Sequence, residues 1–585
     1  MNKNCYRIIF NAGRGQRMAV AETATSQGKN AAGQTRGDFI RGFPGSLAST
    51  LRPKSRAALA ALGMVLWLPP PAEAQIMADP GASRTQQPTV LAAPNGVPVV
   101  NIQTPSAAGV SRNTYRQFDV NQPGAILNNS RSNVQTQTGG WVQGNPWLAA
   151  GGARVILNEV NSSNPSQLRG YVEVAGQRAE VIIANPAGIN VDGGGFINAS
   201  RVMLTTGTPV MNGGSLEGYR VLGGSVAING LGLDTSAADY TAILARAVQV
   251  NAGIWAKELK VTTGANQVDA GQISATPIAG AGTAPAFALD ASALGGMYAG
   301  KITLIGTEAG VGVRNAGVIG AAAGDVVVQG NGWLSNSGSI QAAGHAQINT
   351  SGAISNSGTV YGSGNTGLTS QGSIDTTGLI AALGHTSLQA GSYINAGTGS
   401  VVAAGLNADD TLASGGDLSV MAADAASLHG QTLAAGNASV SGTRVSLADG
   451  KVAAQNFNLT ARGGDVDASR ASVGIQGTFN ANAAQTLRTD GASVSAGQLT
   501  FSARDASNVG GEIVQTGNGD TALRLAGDLN NTAGRIATNS QNLALAAQTL
   551  TNTDGSSEHA GTGTLAIQAG TLNDHRGQIT SNGAL

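Results

Sequence analysis

Three successive stretches, GWLSNSGSIQAAGHAQINTS (332–351), GAISNSGTVYGSGNTGLTSQ (352–371) and GSIDTTGLIAALGHTSLQA (372–390), repeat one pattern. Gly324, Gly344, Gly364 and Gly384 fall twenty residues apart, and so do Val328, Ile348, Leu368 and Leu388. Gly338, Gly358 and Gly378 keep the same spacing, each followed two residues later by Ile340, Val360 or Ile380. Short β-prone segments in phase, parted by Gly, Asn and Ser turns, are the pattern of a β-solenoid, and no sustained 3.6-residue period argues for helical repeats. The expected fold is therefore all-β: a right-handed parallel β-helix of roughly 20–22 residues per coil. Each coil turns a few Val, Ile and Leu inward and bonds to the coils above and below at about 4.8 Å. Glycine is expected at corners that need positive φ, with Asn the next most tolerant residue. Asn336 and Asn356, twenty apart, are placed to form an asparagine ladder.

Composition agrees. Of 585 residues 85 are Gly, 11% are charged and 4% are aromatic, too few large side chains for ordinary globular cores. The 41% apolar fraction nevertheless favours a thin repeated core over disorder. The repeat drifts on to the end of the chain, where Leu529, Leu550 and Leu572 stand 21 and 22 apart. At about 21 residues per coil, the chain after position 74 would make roughly 24 coils, less whatever insertions remove. The chain stops inside a repeat, at SNGAL, without a capping element, so it is expected to be the N-terminal part of a longer protein, a truncated reading frame or an expressed fragment.

Charge divides the chain. Residues 1–74 hold ten Lys/Arg and three Asp/Glu, which leaves 23 basic and 30 acidic residues, a balance of −7, for the remainder. A basic leader on an acidic body suits export and disfavours a nucleic-acid partner. Arg52, Lys54 and Arg56 form a basic n-region, Ala57 to Leu68 an apolar h-region too short to span a bilayer, and Ala72-Glu73-Ala74 a cleavage pattern that would leave Gln75 first. The RGD tripeptide at 36–38 lies in this leader and would be removed with it. So would Cys5, the only cysteine, and no disulfide or thiolate metal site could then exist.

Two Asn-Pro turns stand apart from the repeat: Asn145-Pro146-Trp147-Leu148 and Asn185-Pro186-Ala187-Gly188-Ile189. In the second, Asn, Pro and Gly occupy the favoured first, second and fourth positions of a type I turn. Tyr171–Val174 and Glu180–Ala184 flank a short polar link and are expected to form a hairpin outside the solenoid.

These residues carry a resemblance. Asn2-Lys3, Tyr6-Arg7, Ile9-Phe10-Asn11 and Val20-Ala21-Glu22 resemble the extended signal peptide region of large Gram-negative exoproteins. FDVNQPGAILNNS (118–130), the two Asn-Pro turns and INVDGGGFINASRVMLTTG (189–207) resemble the secretion domain of filamentous haemagglutinin-like, two-partner secreted exoproteins. Asn145, Pro146 and Leu148 match that family's NPNL motif, with Trp147 in place of Asn. Asn185, Pro186, Gly188 and Ile189 match its NPNGI motif, with Ala187 in place of Asn. The resemblance implies an extended signal region (1–51), a signal core (52–74), a secretion domain with an N-terminal cap (75–310) and β-helical haemagglutinin-type repeats (311–585). It further implies passage by the Sec machinery to the periplasm, then through a cognate outer-membrane β-barrel with POTRA domains to the cell surface of a Gram-negative bacterium.

Among functions, the resemblance points first to a surface adhesin binding a protein or glycan on a host or neighbouring cell. Alternatives are the N-terminal part of a contact-dependent growth-inhibition toxin protein, which carries its toxin at a distant C-terminus, and a two-partner secreted haemolysin. No HExxH, GxSxG or Walker pattern is visible. Asp192, Asp234, Asp325, Asp375 and Asp417 are scattered, and His345 and His385 fall two coils apart, too far to share a metal. No catalytic residue, metal site or cofactor is therefore expected.

Overall fold

The computed structural model describes residues 6–11, 16–21 and 76–585 except 414. It divides into two units, Met1–Pro69 and Pro70–Leu585. In the first, Tyr6–Asn11 and Gln16–Ala21 pair as an antiparallel hairpin. Ala72, Ala74 and Gln75, the expected cleavage site, lie outside the described residues.

The second unit is a parallel β-solenoid, and its described residues contain no α-helix. One column of strands starts with Val110–Phe118 and Val155–Val160 and ends with Leu543–Thr551 and Leu565–Asn573, giving about 19 rungs. In the stretch that revealed the fold the register is regular: Val328, Ile348, Leu368 and Leu388 pair in succession, as do Ile340, Val360 and Ile380. All seven are essentially inaccessible to solvent and belong to one continuous core. Each buried Ile or Leu contributes about 1.5–3 kcal/mol, so one thin stripe per coil suffices when stacked many times.

The expected 24 coils are not reached because several coils carry insertions. Val327, Gln347, Gly367 and Ser387 advance by 20 residues per rung, but Met203 to Ala242 takes 39 and Lys260 to Thr303 takes 43. Thr208–Asn212 and Ser215–Val221 form an antiparallel hairpin closed by Gly213 (φ +54°) and Gly214 (φ +86°), the geometry of a two-residue hairpin turn. Asn266–Asp269 and Ala275–Pro277 join it as a four-stranded sheet. Tyr219, Val221 and Val268 of this sheet pack on the outward-facing Leu157, Ile182, Met203 and Ala242, burying a solenoid face that would otherwise be apolar and exposed. Buried Arg246 secures the same insertion, donating from Nη2 and Nε to the Glu308 carboxylate at 2.7 and 3.1 Å and from Nη1 to the Ala281 carbonyl. That pairing holds the Glu308 carboxyl below its ordinary range.

A smaller hairpin, Val134–Thr136 with Gly140–Val142, covers Ile126, Val97 and Val99. Glu173, only 5% exposed, clamps its tip by accepting from Gln137 N, Thr138 N and Thr138 Oγ1 at 2.7–2.8 Å. At the start of the solenoid, Ile76–Ala78 and Thr89–Ala92 add antiparallel strands.

Two expectations are corrected. Tyr171–Gly176 and Ala179–Ala184 do not pair with each other. The first lies parallel to Ala125–Asn129 and the second to Val155–Val160 and Ala199–Thr205, so the link between them is an ordinary corner with Gly176 at φ +79°. Nor do the periodic glycines supply positive φ. A Cβ on Gly338, Gly358 or Gly378 would stand 2.0–2.1 Å from the carbonyl oxygen of the glycine one coil before, so backbone proximity demands them. Gly344 and Gly384 instead leave room for the Asp325 and Asn365 side chains beneath them. In the last coils the left-handed corner passes through Asp449, Arg470, Gly491, Gly510, Ala533, Asp554 and Arg576 in succession, mostly residues other than glycine.

Candidate functional site: two asparagine-proline corners

Both motifs fold as corners in which a buried asparagine does two jobs. Asn145, 3% exposed, accepts the Trp147 N–H at 3.0 Å on Oδ1 and caps the short 3-10 turn Pro146–Leu148. Its Nδ2 donates to the Ile102 carbonyl at 2.9 Å and the Asn128 carbonyl at 3.0 Å. Pro146 belongs at the first position of such a turn, where no N–H is needed. Leu148 is fully buried and anchors the turn in the core.

Asn185, fully buried, repeats the arrangement. Its Oδ1 accepts from Ala187 N at 2.9 Å, while Nδ2 donates to the Asn164 carbonyl at 2.9 Å and Ser166 Oγ at 3.0 Å. Gly188 N bonds the Asn185 carbonyl at 3.0 Å, closing the expected four-residue turn. Gly188 sits at φ +123°, which favours glycine, and Ile189 re-enters the core. Pro186 is exposed. The two corners are held by different neighbours: Asn145 ties the first rungs near Ile102 and Asn128, whereas Asn185 ties its coil to the turn at Asn164-Pro165.

The replaced positions differ from the retained ones. Trp147 is 45% exposed and Ala187 half-buried, and neither supplies a side-chain bond that the corner needs. The motif's retained residues are thus the ones the geometry uses.

Sequence reading also marked His345, His385 and the aspartates. His345 and His385 stand on exposed corners, as expected, but they belong to a ladder of side-chain acceptors. Asp325 Oδ1 accepts His345 N, His345 Nδ1 accepts Asn365 N, Asn365 Oδ1 accepts His385 N, and His385 Nδ1 accepts Asp417 N, at 2.7–3.0 Å. Inside the solenoid the expected asparagine ladder is present. Asn315, Asn336 and Asn356 donate in turn to Asn336 Oδ1, Asn356 Oδ1 and Thr376 Oγ1 at 2.8, 2.7 and 3.1 Å. A second ladder, Asn508–Asn531–Asn552–Asp574, has bonds of 2.7–2.8 Å. Its period was visible in the sequence at steps of 23, 21 and 22 residues, but the drift from 20 hid it.

The fold, the leader and the two corners together define the class: a β-solenoid exoprotein exported by a type V pathway. Residues 74–342 match the family described as TPS secretion domain, and residues 1–50 match that described as Extended Signal Peptide of Type V secretion system. The chain belongs to the two-partner secretion exoproteins, which leave the cell by signal peptide and a dedicated outer-membrane transporter. It is 46% identical over 553 residues to "Toxin CdiA" of Yersinia pestis, covering 94% of this chain and 16% of that protein. It is 50% identical over 501 residues to "tRNA nuclease CdiA-2" of Burkholderia pseudomallei, covering 85% of this chain and 16% of that one. A crystal structure of a filamentous hemagglutinin secretion domain aligns at 32% identity over 55% of this chain and 99% of that chain, with a TM-score of 0.42. The chain thus spans about a sixth of the length of the curated relatives it matches.

Proposed function

We propose that these residues form the export domain and the beginning of the stalk of a contact-dependent growth-inhibition exoprotein. The observation that carries this is identity of 46% and 50% sustained well past the secretion domain, across the repeats, to relatives named as CdiA toxins. Those names support this reading over the adhesin that sequence reasoning placed first and over the haemolysin. The secretion domain binds the periplasmic POTRA domains of its transporter, the chain crosses the outer membrane unfolded, and coils stack outside. Each rung contacts chiefly its neighbours, so folding propagates locally from the first coils to emerge. The stalk holds its cargo toward a protein or glycan on a neighbouring cell. The segment described here is read as non-catalytic, with toxic chemistry assigned to another part of the full-length protein.

Deleting 97–202 tests the export step, and the expected result is accumulation in the periplasm; normal surface display of that deletion overturns it. Co-culture of cells carrying the full gene with a sibling strain lacking its locus tests the rest. Inhibition that needs contact and disappears with the transporter gene is expected. Unimpaired growth of the sibling strain, together with binding to host cells, would return the adhesin to first place.

A further inference from the structure

We infer that the stalk carries a binding slot for a neutral sugar between Tyr393 and Arg444. This goes beyond the export and growth-inhibition reading and does not depend on it. Four consecutive coils line the slot. Ile374, Ile394, Ala426 and Val445 pair in succession, so the residues just before the last three, Tyr393, Ala425 and Arg444, stand in one column. The middle one is small. Ala425 therefore floors a cleft walled by the Tyr393 ring on one side and the Arg444 side chain on the other, two rungs or about 10 Å apart. The cleft holds about 610 Å³, within the range of small-ligand sites.

Its chemistry suits a pyranose. Tyr393 is 43% exposed and offers an aromatic wall to the C–H face of a sugar ring. Asp375, Asn395 and Asp424 line the same cleft and present planar acceptors and a donor, the set that grips adjacent hydroxyls. Asn395 Nδ2 donates to Asp375 Oδ1 at 3.4 Å, and Ser373 Oγ donates to Asp375 Oδ2 at 3.0 Å, so that carboxylate is held in place. Among the described residues no ion pair or side-chain hydrogen bond engages the Arg444 guanidinium. It crosses the ladder over Gly464, where a Cβ would lie 2.5 Å from Arg444 Cγ. Two carboxylates against one guanidinium leave the cleft mildly acidic, which selects against sulfated or sialylated chains and in favour of uncharged ones.

The test is an oligosaccharide array bearing neutral, sialylated and sulfated chains, probed with the exported protein and followed by titration of the best neutral oligosaccharide. Retention of neutral chains is expected. Tyr393→Ala, which removes a ring 43% exposed, should weaken binding at least about tenfold, and Ala425→Leu should fill the cleft and abolish it. Tyr393→Phe should stay within about threefold of the parent. Circular dichroism confirms that each variant keeps its sheet. The inference is overturned if no neutral chain is retained, if retention is confined to anionic chains and vanishes at high salt, or if Tyr393→Ala and Ala425→Leu bind as the parent does.

Discussion

Asparagine does its work differently at the two Asn-Pro corners and in the repeated coils. In coils 313–390 it is periodic: Asn315 and Asn336 each donate to the asparagine of the next rung and Asn356 to Thr376, and each also reaches a backbone carbonyl at 3.1–3.3 Å. At the two Asn-Pro corners it is singular: Asn145 and Asn185 each hold backbone groups of a single corner and its neighbours, and neither bonds another asparagine side chain. The ladder is built by repetition and the clamp by fit. A repeated contact can be exchanged as a set. A fitted one leaves backbone donors and acceptors stranded whenever its side chain is lost.

The largest effect is therefore expected at the clamps. Asn145→Ala strands the Ile102 and Asn128 carbonyls and the Trp147 N–H, and Asn185→Ala strands the Asn164 carbonyl and the Ala187 N–H, all at buried or half-buried corners. Each substitution should cost about 2–4 kcal/mol, read as the shift in the urea midpoint of the exported protein. A cost below about 1 kcal/mol at both sites would erase the distinction between clamp and ladder.

At the ladder, Asn336→Ala alone should cost about 2 kcal/mol, because the Asn315 amide and the Asn356 carbonyl oxygen each lose a partner in a dry interior. Replacing Asn315, Asn336 and Asn356 together by Val should cost less than the sum of the single changes, since matched polar partners vanish with one another. The same unfolding experiment on the triple variant decides it: a cost equal to or above the sum would mean that the bonds of these asparagines to the Ser339, Thr359 and Leu379 carbonyls outweigh those they make to one another.

A smaller effect is expected at the left-handed corners. Ala533 (φ +53°) and Gly510 (φ +61°) occupy the same corner in consecutive coils, and a Cβ on Gly510 would meet nothing within 4 Å. Only backbone strain distinguishes them. Gly510→Ala should cost about 1 kcal/mol and Ala533→Gly should gain a few tenths to about 1 kcal/mol by thermal unfolding. Equal stabilities would show that this corner carries no strain.

The same contrast explains what could be read beforehand. What repeats at a constant step was legible: the solenoid, its inward column of Val, Ile and Leu, and the Asn336–Asn356 pair all announce themselves as a period, whereas the Asn508–Asp574 ladder, whose step drifts between 21 and 23, did not. Features that occur once were legible only where they carry strong local chemistry or a family resemblance. The turn at Asn185-Pro186 was found by both routes. The real hairpin at Thr208–Val221 was missed although Asn212-Gly213-Gly214 is a strong hairpin signal, because the apolar strands beside it also fit a coil. The opposite error was made at 171–184, where two strands and a short link fit a hairpin but belong to successive faces of the solenoid. Local sequence specifies strand and turn; whether the strand pairs with its chain neighbour or with the coil below is set by which faces must be buried. The glycines teach the same lesson. Their spacing was plain, yet their cause, contact with the coil beneath rather than positive φ, exists only once the coils are stacked.

The smallest effect should fall on the two positions where this chain departs from the family motif. Trp147 and Ala187 each contribute a backbone N–H to the capping asparagine two residues earlier, and any residue but proline can supply that. Their side chains reach solvent: Trp147 is 45% exposed and its ring makes a long hydrogen bond, 3.4 Å from Nε1 to Thr89 Oγ1. Trp147→Asn and Ala187→Asn should thus change stability by less than about 0.5 kcal/mol. If stability is unmoved but the amount of protein reaching the culture medium changes severalfold, the exposed face of the corner is read by the export machinery rather than by the fold. Unchanged export would place the whole value of both motifs in Asn145 and Asn185, whose amides hold the first coils together.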